Sequence, residues 1–157
     1  MANLYIIRHA KTAPTHPDGD HCRELLPEGK LAFTSLIRKL QAQHWQLDHL
    51  IVSDATRTIQ TANILKQILP NTPSARITPE IYEAPTSSLF EALQKLPSTA
   101  NNVALIGHNP GVSRLIELLT QQNNIALSPG TVAILEVKVH WNELAFGSAT
   151  LTQLHSP

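Results

Sequence analysis

Three short stretches of this chain place residues able to handle an anion directly after apolar runs. Arg8-His9 follows Leu4-Tyr5-Ile6-Ile7, Ser53-Asp54-Ala55-Thr56-Arg57 continues Leu50-Ile51-Val52, and Gly107-His108-Asn109-Pro110-Gly111 continues Val103-Ala104-Leu105-Ile106. A guanidinium carries a permanent charge on a planar fork that matches phosphate oxygens two at a time. A neutral imidazole is a nucleophile that can take a phosphoryl group and later yield it to water. Two arginines and two histidines at three strand ends therefore outline a site for phosphoryl chemistry. Charge spread over the non-bridging oxygens would be met there by fixed donors.

The surrounding pattern predicts the elements that must hold those residues. The short runs rich in β-branched residues read as buried strands, and in an open α/β sheet ligand chemistry collects beyond the carboxyl ends of such strands. Thr12 to Cys22, with Pro14, Pro17 and Gly19, is too rich in breakers for a helix. Phe33, Leu36, Ile37 and Leu40 fall on one face of a helix spanning roughly Pro27 to Gln43. Ala62, Leu65, Ile68 and Leu69 mark a second helix that Pro70 ends, with Ser53 or Asp54 as its N-cap. A short strand is expected over Ala75–Thr78, a loop or strand end at Ile81-Tyr82-Glu83-Ala84, and a helix carrying Leu89, Phe90, Leu93 and Leu96. Val112, Leu115, Ile116 and Leu119 give a helix after Gly111, and Thr131–Val139 and Ala149–Leu154 read as final strands. The alternation predicts a three-layer α/β/α sandwich with a mainly parallel central sheet. The two last strands lack an intervening helix, which predicts one antiparallel edge strand. Helices starting after Ser53 and after Pro110 would aim free N–H groups at the same anion.

Bulk properties narrow the function classes. At 157 residues the chain fits one domain, 1–157, with a real core. Twelve basic and twelve acidic residues cancel, so no global field points to nucleic acid or a membrane surface. The lone Cys22 excludes an internal disulfide and suits a reducing compartment, and no signal peptide or membrane span is apparent; a cytoplasmic protein is expected. The remaining histidines (His16, His21, His44, His49, His140 and His155) show no ligand spacing for a metal and read as scattered and solvated. No metal or cofactor is expected. Gly107 and Gly111 on either side of His108 suggest backbone that must approach a ligand closely. Arg57 has a plain alternative as an exposed helix residue paired with Asp54.

Leu4-Tyr5-Ile6-Ile7-Arg8-His9-Ala10, Ser53-Asp54-Ala55-Thr56-Arg57-Thr58 and Gly107-His108-Asn109 together resemble, in order, the motifs of the histidine phosphatase superfamily, which includes the phosphoglycerate mutases. The short length, Arg-His-Ala and Gly-His-Asn-Pro-Gly resemble the small branch of SixA phosphohistidine phosphatases, in which Cys22-Arg23-Glu24-Leu25-Leu26 also has a counterpart. The resemblance implies His9 as the phosphorylated nucleophile, Arg8, Arg57 and His108 as the phosphate pocket, and Arg23 as a third arginine ligand. Ala10-Lys11 departs from the Arg-His-Gly followed by Glu or Gln of many relatives, and the long insertion that caps larger relatives is missing. A shallow, open site is the consequence, suited to a protein substrate.

The general acid stays open. Glu83 is the best-placed carboxylate between the second arginine and the second histidine. An alkoxide leaving group strongly needs a proton donor, whereas the imidazole of a phosphoramidate departs more readily and can be protonated on its own ring. The expected activity is metal-independent removal of phosphate from phosphohistidine on a protein, the partner being a phosphotransfer protein. A phosphatase of a small phosphomonoester is the alternative, and a non-catalytic module that binds a phospho-ligand is the rival outside the enzymes.

Overall fold

The computed structural model describes residues 1–157. Six strands form one sheet: β1 (Ala2–Arg8), β2 (His49–Val52), β3 (Arg76–Ile77), β4 (Asn102–Gly107), β5 (Val132–Val137) and β6 (Ala149–His155). They lie in the order β3-β2-β4-β1-β5-β6. The four strands from β3 to β1 pair in parallel. The mainly parallel sheet matches the sequence reading, and its antiparallel part is larger by one pairing. β5 runs antiparallel to β1, and β6 pairs antiparallel to β5 and forms the edge. The reversed strand therefore lies one place inside the edge, because no helix separates β5 from β6.

Four helices cover the sheet: α1 (Pro27–Gln41), α2 (Thr56–Ile68), α3 (Thr86–Gln94) and α4 (Gly111–Thr120). The period of two along β1 divides the core. Tyr5 and Ile7 pack with Phe33 and Ile37 of α1 and Leu65 of α2. Leu4 and Ile6 pack on the other face with Leu89 and Leu93 of α3 and Leu115 and Ile116 of α4. Strand β4 is buried on both faces from Val103 to Gly107, which is why its sequence is a continuous apolar run rather than an alternating one.

Register sets the site. Val52 lies beside Ile106 on β4, and Arg8 lies beside Gly107. The residues that follow (Ser53, His108 and His9) thus leave the sheet at one level. The interval between α2 and β4 holds β3, a 3-10 turn over Pro79–Ile81, and α3. The loop from Thr12 to Cys22 closes with a second 3-10 turn, Asp20–Cys22, and a bridge from Thr12 to Leu25 ties its ends. At Gly29 in the first turn of α1, an added Cβ would lie 2.4 Å from the Lys11 carbonyl oxygen, so this glycine lets the helix sit against the chain leaving His9.

Candidate active site

His9 leaves β1 with its amide donating to the Gly107 carbonyl at 3.2 Å. Its ring is buried, and Nδ1 lies 2.8 Å from the Ala10 carbonyl oxygen. A carbonyl only accepts, so Nδ1 carries the ring proton and Nε2 keeps its lone pair. Burial, chiefly, with Arg57, Arg8 and Arg23 adding to it against the Ala10 hydrogen bond, lowers the pKa of His9 to about 4. The imidazole is therefore neutral at physiological pH.

His108 leaves β4 beside it, the two ring centroids 5.5 Å apart. Its Nε2 is 2.8 Å from the Ser53 hydroxyl, while its Nδ1 is buried with no partner. Burial first, then the charge of Arg57, lowers the pKa of His108 to about 3.

Arg57, in the first turn of α2, is only 1% exposed. Its Nη1 donates to the Asp20 carbonyl at 2.8 Å and its Nη2 to the Asp20 carboxylate at 3.1 Å, while Nε is buried and unpartnered. The far end of the guanidinium is thus taken up by the loop, and the near side is left without an acceptor. Arg8 repeats the pattern: Nη1 donates to the Leu127 carbonyl at 2.9 Å, and Nε is buried without a partner. The Asn109 side-chain amide donates to that same carbonyl at 2.8 Å, which links the segment after β4 to Arg8. Three buried groups of this cluster, Arg8 Nε, Arg57 Nε and His108 Nδ1, are unsatisfied. Buried donors are costly unless paired, so the two Nε–H groups are available to an anion, and His108 Nδ1 can join them in the tautomer that protonates it.

A more exposed rim surrounds this cluster. Arg23 donates through Nε to the Asp20 carboxylate at 2.9 Å and through Nη1 to Thr12 Oγ1 at 2.9 Å and the Ala13 carbonyl at 3.0 Å. The Tyr82 hydroxyl donates to the Asp20 carboxylate, and its ring lies edge-on to His108 at 5.4 Å with Arg57 at 5.7 Å. The Tyr82 hydrogen bond, with Arg57 and Arg23, holds the Asp20 carboxyl far below the ordinary carboxylate range. The pKa of Tyr82 is raised by burial and by that carboxylate. Glu83 reaches the rim: its carboxylate is 3.7 Å from Arg57 Nη2, with the side chain 57% exposed.

The structure brings together every residue singled out from the sequence: Arg8, His9, Arg23, Arg57, Glu83 and His108. Several local readings need correction. Arg57 is neither exposed nor paired with Asp54, which instead meets His21 Nε2 at 3.0 Å. Neither Ser53 nor Asp54 caps α2; the N-cap position is Ala55, and no side chain bonds there. The flanking glycines are also packed against protein: a Cβ at Gly107 would lie 3.0 Å from Val112, and one at Gly111 would lie 3.3 Å from the Ala84 carbonyl. His21 is not simply solvated, because it pairs with Asp54 and stacks edge-on against Tyr82 at 4.8 Å. Asp20 and Tyr82 have no sequence signal as site residues, and Ser53 is marked only as the start of the stretch that carries Arg57, their partners lying up to 62 positions away. No group of three or more His, Cys, Asp or Glu side chains is arranged to hold a metal ion. No helix is long and apolar enough to cross a membrane.

This fold and cluster define a class. The family model of the histidine phosphatase superfamily, branch 1, matches residues 4–87, more than half of the chain, and the chain belongs to that superfamily. Within it, the chain shares its whole architecture with SixA structures. A chain from Nakamurella multipartitia, given the name phosphohistidine phosphatase SixA, superposes with a TM-score of 0.87 at 25% identity, over 99% of this chain and 96% of that one. The protein histidine phosphatase SixA complexed with tungstate gives a TM-score of 0.86 at 22% identity, over 98% and 96% of the two chains. In sequence, protein Rv1276c of Mycobacterium tuberculosis is 28% identical over 163 residues, 96% of this chain and 99% of that one.

Proposed function

We propose that this phosphatase removes a phosphoryl group from phosphohistidine on a protein, without a metal, through a covalent intermediate on His9. The observation that carries the reading is the trio of buried, unpartnered groups, Arg8 Nε, Arg57 Nε and His108 Nδ1, beside a neutral His9 whose Nδ1 is engaged with Ala10. Nε2 of His9 attacks phosphorus; the bond from phosphorus to the leaving nitrogen breaks, and the departing imidazole takes a proton on its own ring. Arg8, Arg57 and His108, with Arg23 assisting from the rim, balance the charge on the non-bridging oxygens. Water then attacks phosphohistidine-9, releasing inorganic phosphate and restoring the imidazole.

Two features favour a protein-borne substrate. The widest cavity, about 640 Å³, lies next to Phe90, Leu144 and Phe146, and the cavity that borders Ala10 and Lys11 is not lined by Arg8, His9, Arg57 or His108. Glu83, a rim carboxylate that Tyr82 does not engage, has a side chain more than half exposed and drawn toward Arg57. An exposed carboxylate drawn toward a guanidinium is not fixed against a leaving group, which a phosphoramidate tolerates better than an ester. SixA, of the same fold, has been captured with tungstate, a tetrahedral oxyanion of the class proposed to bind here. A cytoplasmic location goes with the reading.

The deciding experiment measures phosphate release in EDTA from a phosphohistidine-bearing phosphotransfer domain and from a panel of small phosphomonoesters, with wild type and His9→Ala side by side. A wild-type preference for the phosphoprotein, lost in the variant, is expected. Preference for one ester would move the protein to a metabolic phosphatase, and no turnover with either would leave a binding module.

A further inference from the structure

We infer that Ser53 is a positioning residue that fixes the tautomer of His108. Its hydroxyl delivers a hydrogen bond to Nε2, and the ring proton is thereby held on Nδ1, toward the anion cradle. The inference rests on the proposed phosphatase chemistry for its purpose and on geometry for its content.

Ser53 is fully buried at the end of β2, and its amide donates to the Ile106 carbonyl at 3.2 Å, so its backbone is locked to β4 just ahead of His108. The hydroxyl oxygen has two neighbours at hydrogen-bond distance: the Ala55 amide at 3.5 Å and His108 Nε2 at 2.8 Å. The amide can only donate. Its own carbonyl is occupied by the Thr58 hydroxyl at 2.7 Å. Counting protons then separates the two tautomers of a neutral His108. If Nε2 carried the proton, the Ser53 oxygen would accept from both neighbours and its own proton would be buried without an acceptor. The Nδ1 lone pair would also face the incoming oxyanion. If Nδ1 carries the proton, the Ser53 hydroxyl donates to Nε2, accepts from Ala55, and leaves Nδ1–H as the buried donor that the structure finds unpartnered. Only the second arrangement satisfies every group once an anion binds. Serine, whose hydroxyl both donates and accepts, meets this requirement where an alanine could not.

The test is a long-range ¹H–¹⁵N spectrum of the histidine rings in the resting full-length protein, with His108 assigned by the signals missing from His108→Gln. It is run on wild type, Ser53→Ala and the near-isosteric Ser53→Cys, whose thiol is a weak donor. The expected result is the Nδ1–H form of His108 in wild type, with a shift toward Nε2–H in Ser53→Ala and a smaller one in Ser53→Cys. Orthovanadate binding and kcat should fall by about tenfold to a hundredfold, the size of effect found for groups that orient a ligating histidine, in a variant whose amide fingerprint is otherwise intact. An Nε2–H signature in wild type overturns the inference whatever the variants do. So does an unchanged tautomer with unchanged kcat in the folded variants. Should Ser53→Ala not fold, the wild-type spectrum and Ser53→Cys decide. Absence of phosphatase turnover in wild type would sink the functional reading alone, since the tautomer is read without substrate.

Discussion

The buried cluster at the strand ends and the rim that encloses it solve one electrostatic problem in opposite ways. His9, Ser53, Arg57 and His108 are each less than a tenth exposed and come from β1, β2, α2 and β4, so strand pairing fixes where they stand. Asp20, His21, Arg23, Tyr82 and Glu83 lie on connecting segments, partly or largely exposed, and are held by one another's charges. The inner cluster keeps its histidines neutral and its arginine Nε groups open. The rim supplies the negative charge that makes a buried guanidinium tolerable, Asp20 gripping Arg57 through its carbonyl and its carboxylate together. The buried part thus holds the candidate chemical groups and the exposed part balances their charge.

The contrast predicts unequal sensitivity to substitution. His9→Ala should lower turnover by about 10⁴-fold or more, as expected when a covalent nucleophile is lost, while a thermal melt stays cooperative. A residual rate near wild type would place the nucleophile elsewhere. Arg57→Lys comes next, because a point charge cannot reproduce the fork that holds Asp20 at one end and leaves Nε free at the other. Its kcat/KM should drop by about 10²- to 10³-fold, and a value within a fewfold of wild type would show that charge alone suffices.

The same contrast sets the pH behaviour. His9 and His108, with pKa values lowered to about 4 and about 3, stay neutral in the fold while the unfolded chain protonates near the ordinary histidine value. Above that ordinary value both states are neutral and the contribution to stability is full. As pH falls toward 4 the unfolded state binds more protons than the native one, so stability is progressively lost. Melting temperature should accordingly decline between about pH 6.5 and 4, and less steeply in His9→Ala. With an acid-stable phosphomonoester, the acid limb of kcat/KM should lie near pH 4, where the buried His9 imidazole takes up its second proton. A limb between pH 6 and 7 would mean that the free enzyme carries a charged His9. The smallest effect is reserved for the rim: Glu83→Gln should change phosphohistidine turnover by no more than about fivefold, in keeping with an exposed pair. A much larger loss confined to phosphomonoesters would assign Glu83 the proton for an ester leaving group.

How far the sequence could be read follows the same division. Arg8, His9 and His108 are legible because a buried parallel strand is a continuous apolar run, and the residue that ends such a run is delivered to the sheet edge where ligands collect. Arg57 is legible from its place just after β2, although its burial was not. The helix boundaries came out within a few residues for α1, whose stripe of Phe33, Leu36, Ile37 and Leu40 faces the core. Ser53 and Asp54 do not cap α2 as the local pattern predicts: Ser53 Oγ lies 2.8 Å from His108 Nε2 and Asp54 Oδ1 3.0 Å from His21 Nε2, contacts that the local sequence does not encode.

The order of motifs and the two periodicities alone determined a layered α/β fold with a phosphate-handling edge, since hydrophobic alternation and strand-end chemistry are local properties of the chain. Tertiary structure decided what required distant segments to meet. Asp20 came to lie against Arg57, 37 residues on, and Tyr82 met Asp20 across 62 residues. The Ser53 hydroxyl, separated from His108 by 55 residues, came within 2.8 Å of its ring. Ion pairs and shared protons depend on angles and burial that no spacing encodes. Which arginine ends are taken, which are free, and which histidine nitrogen carries its proton are therefore properties of the folded protein.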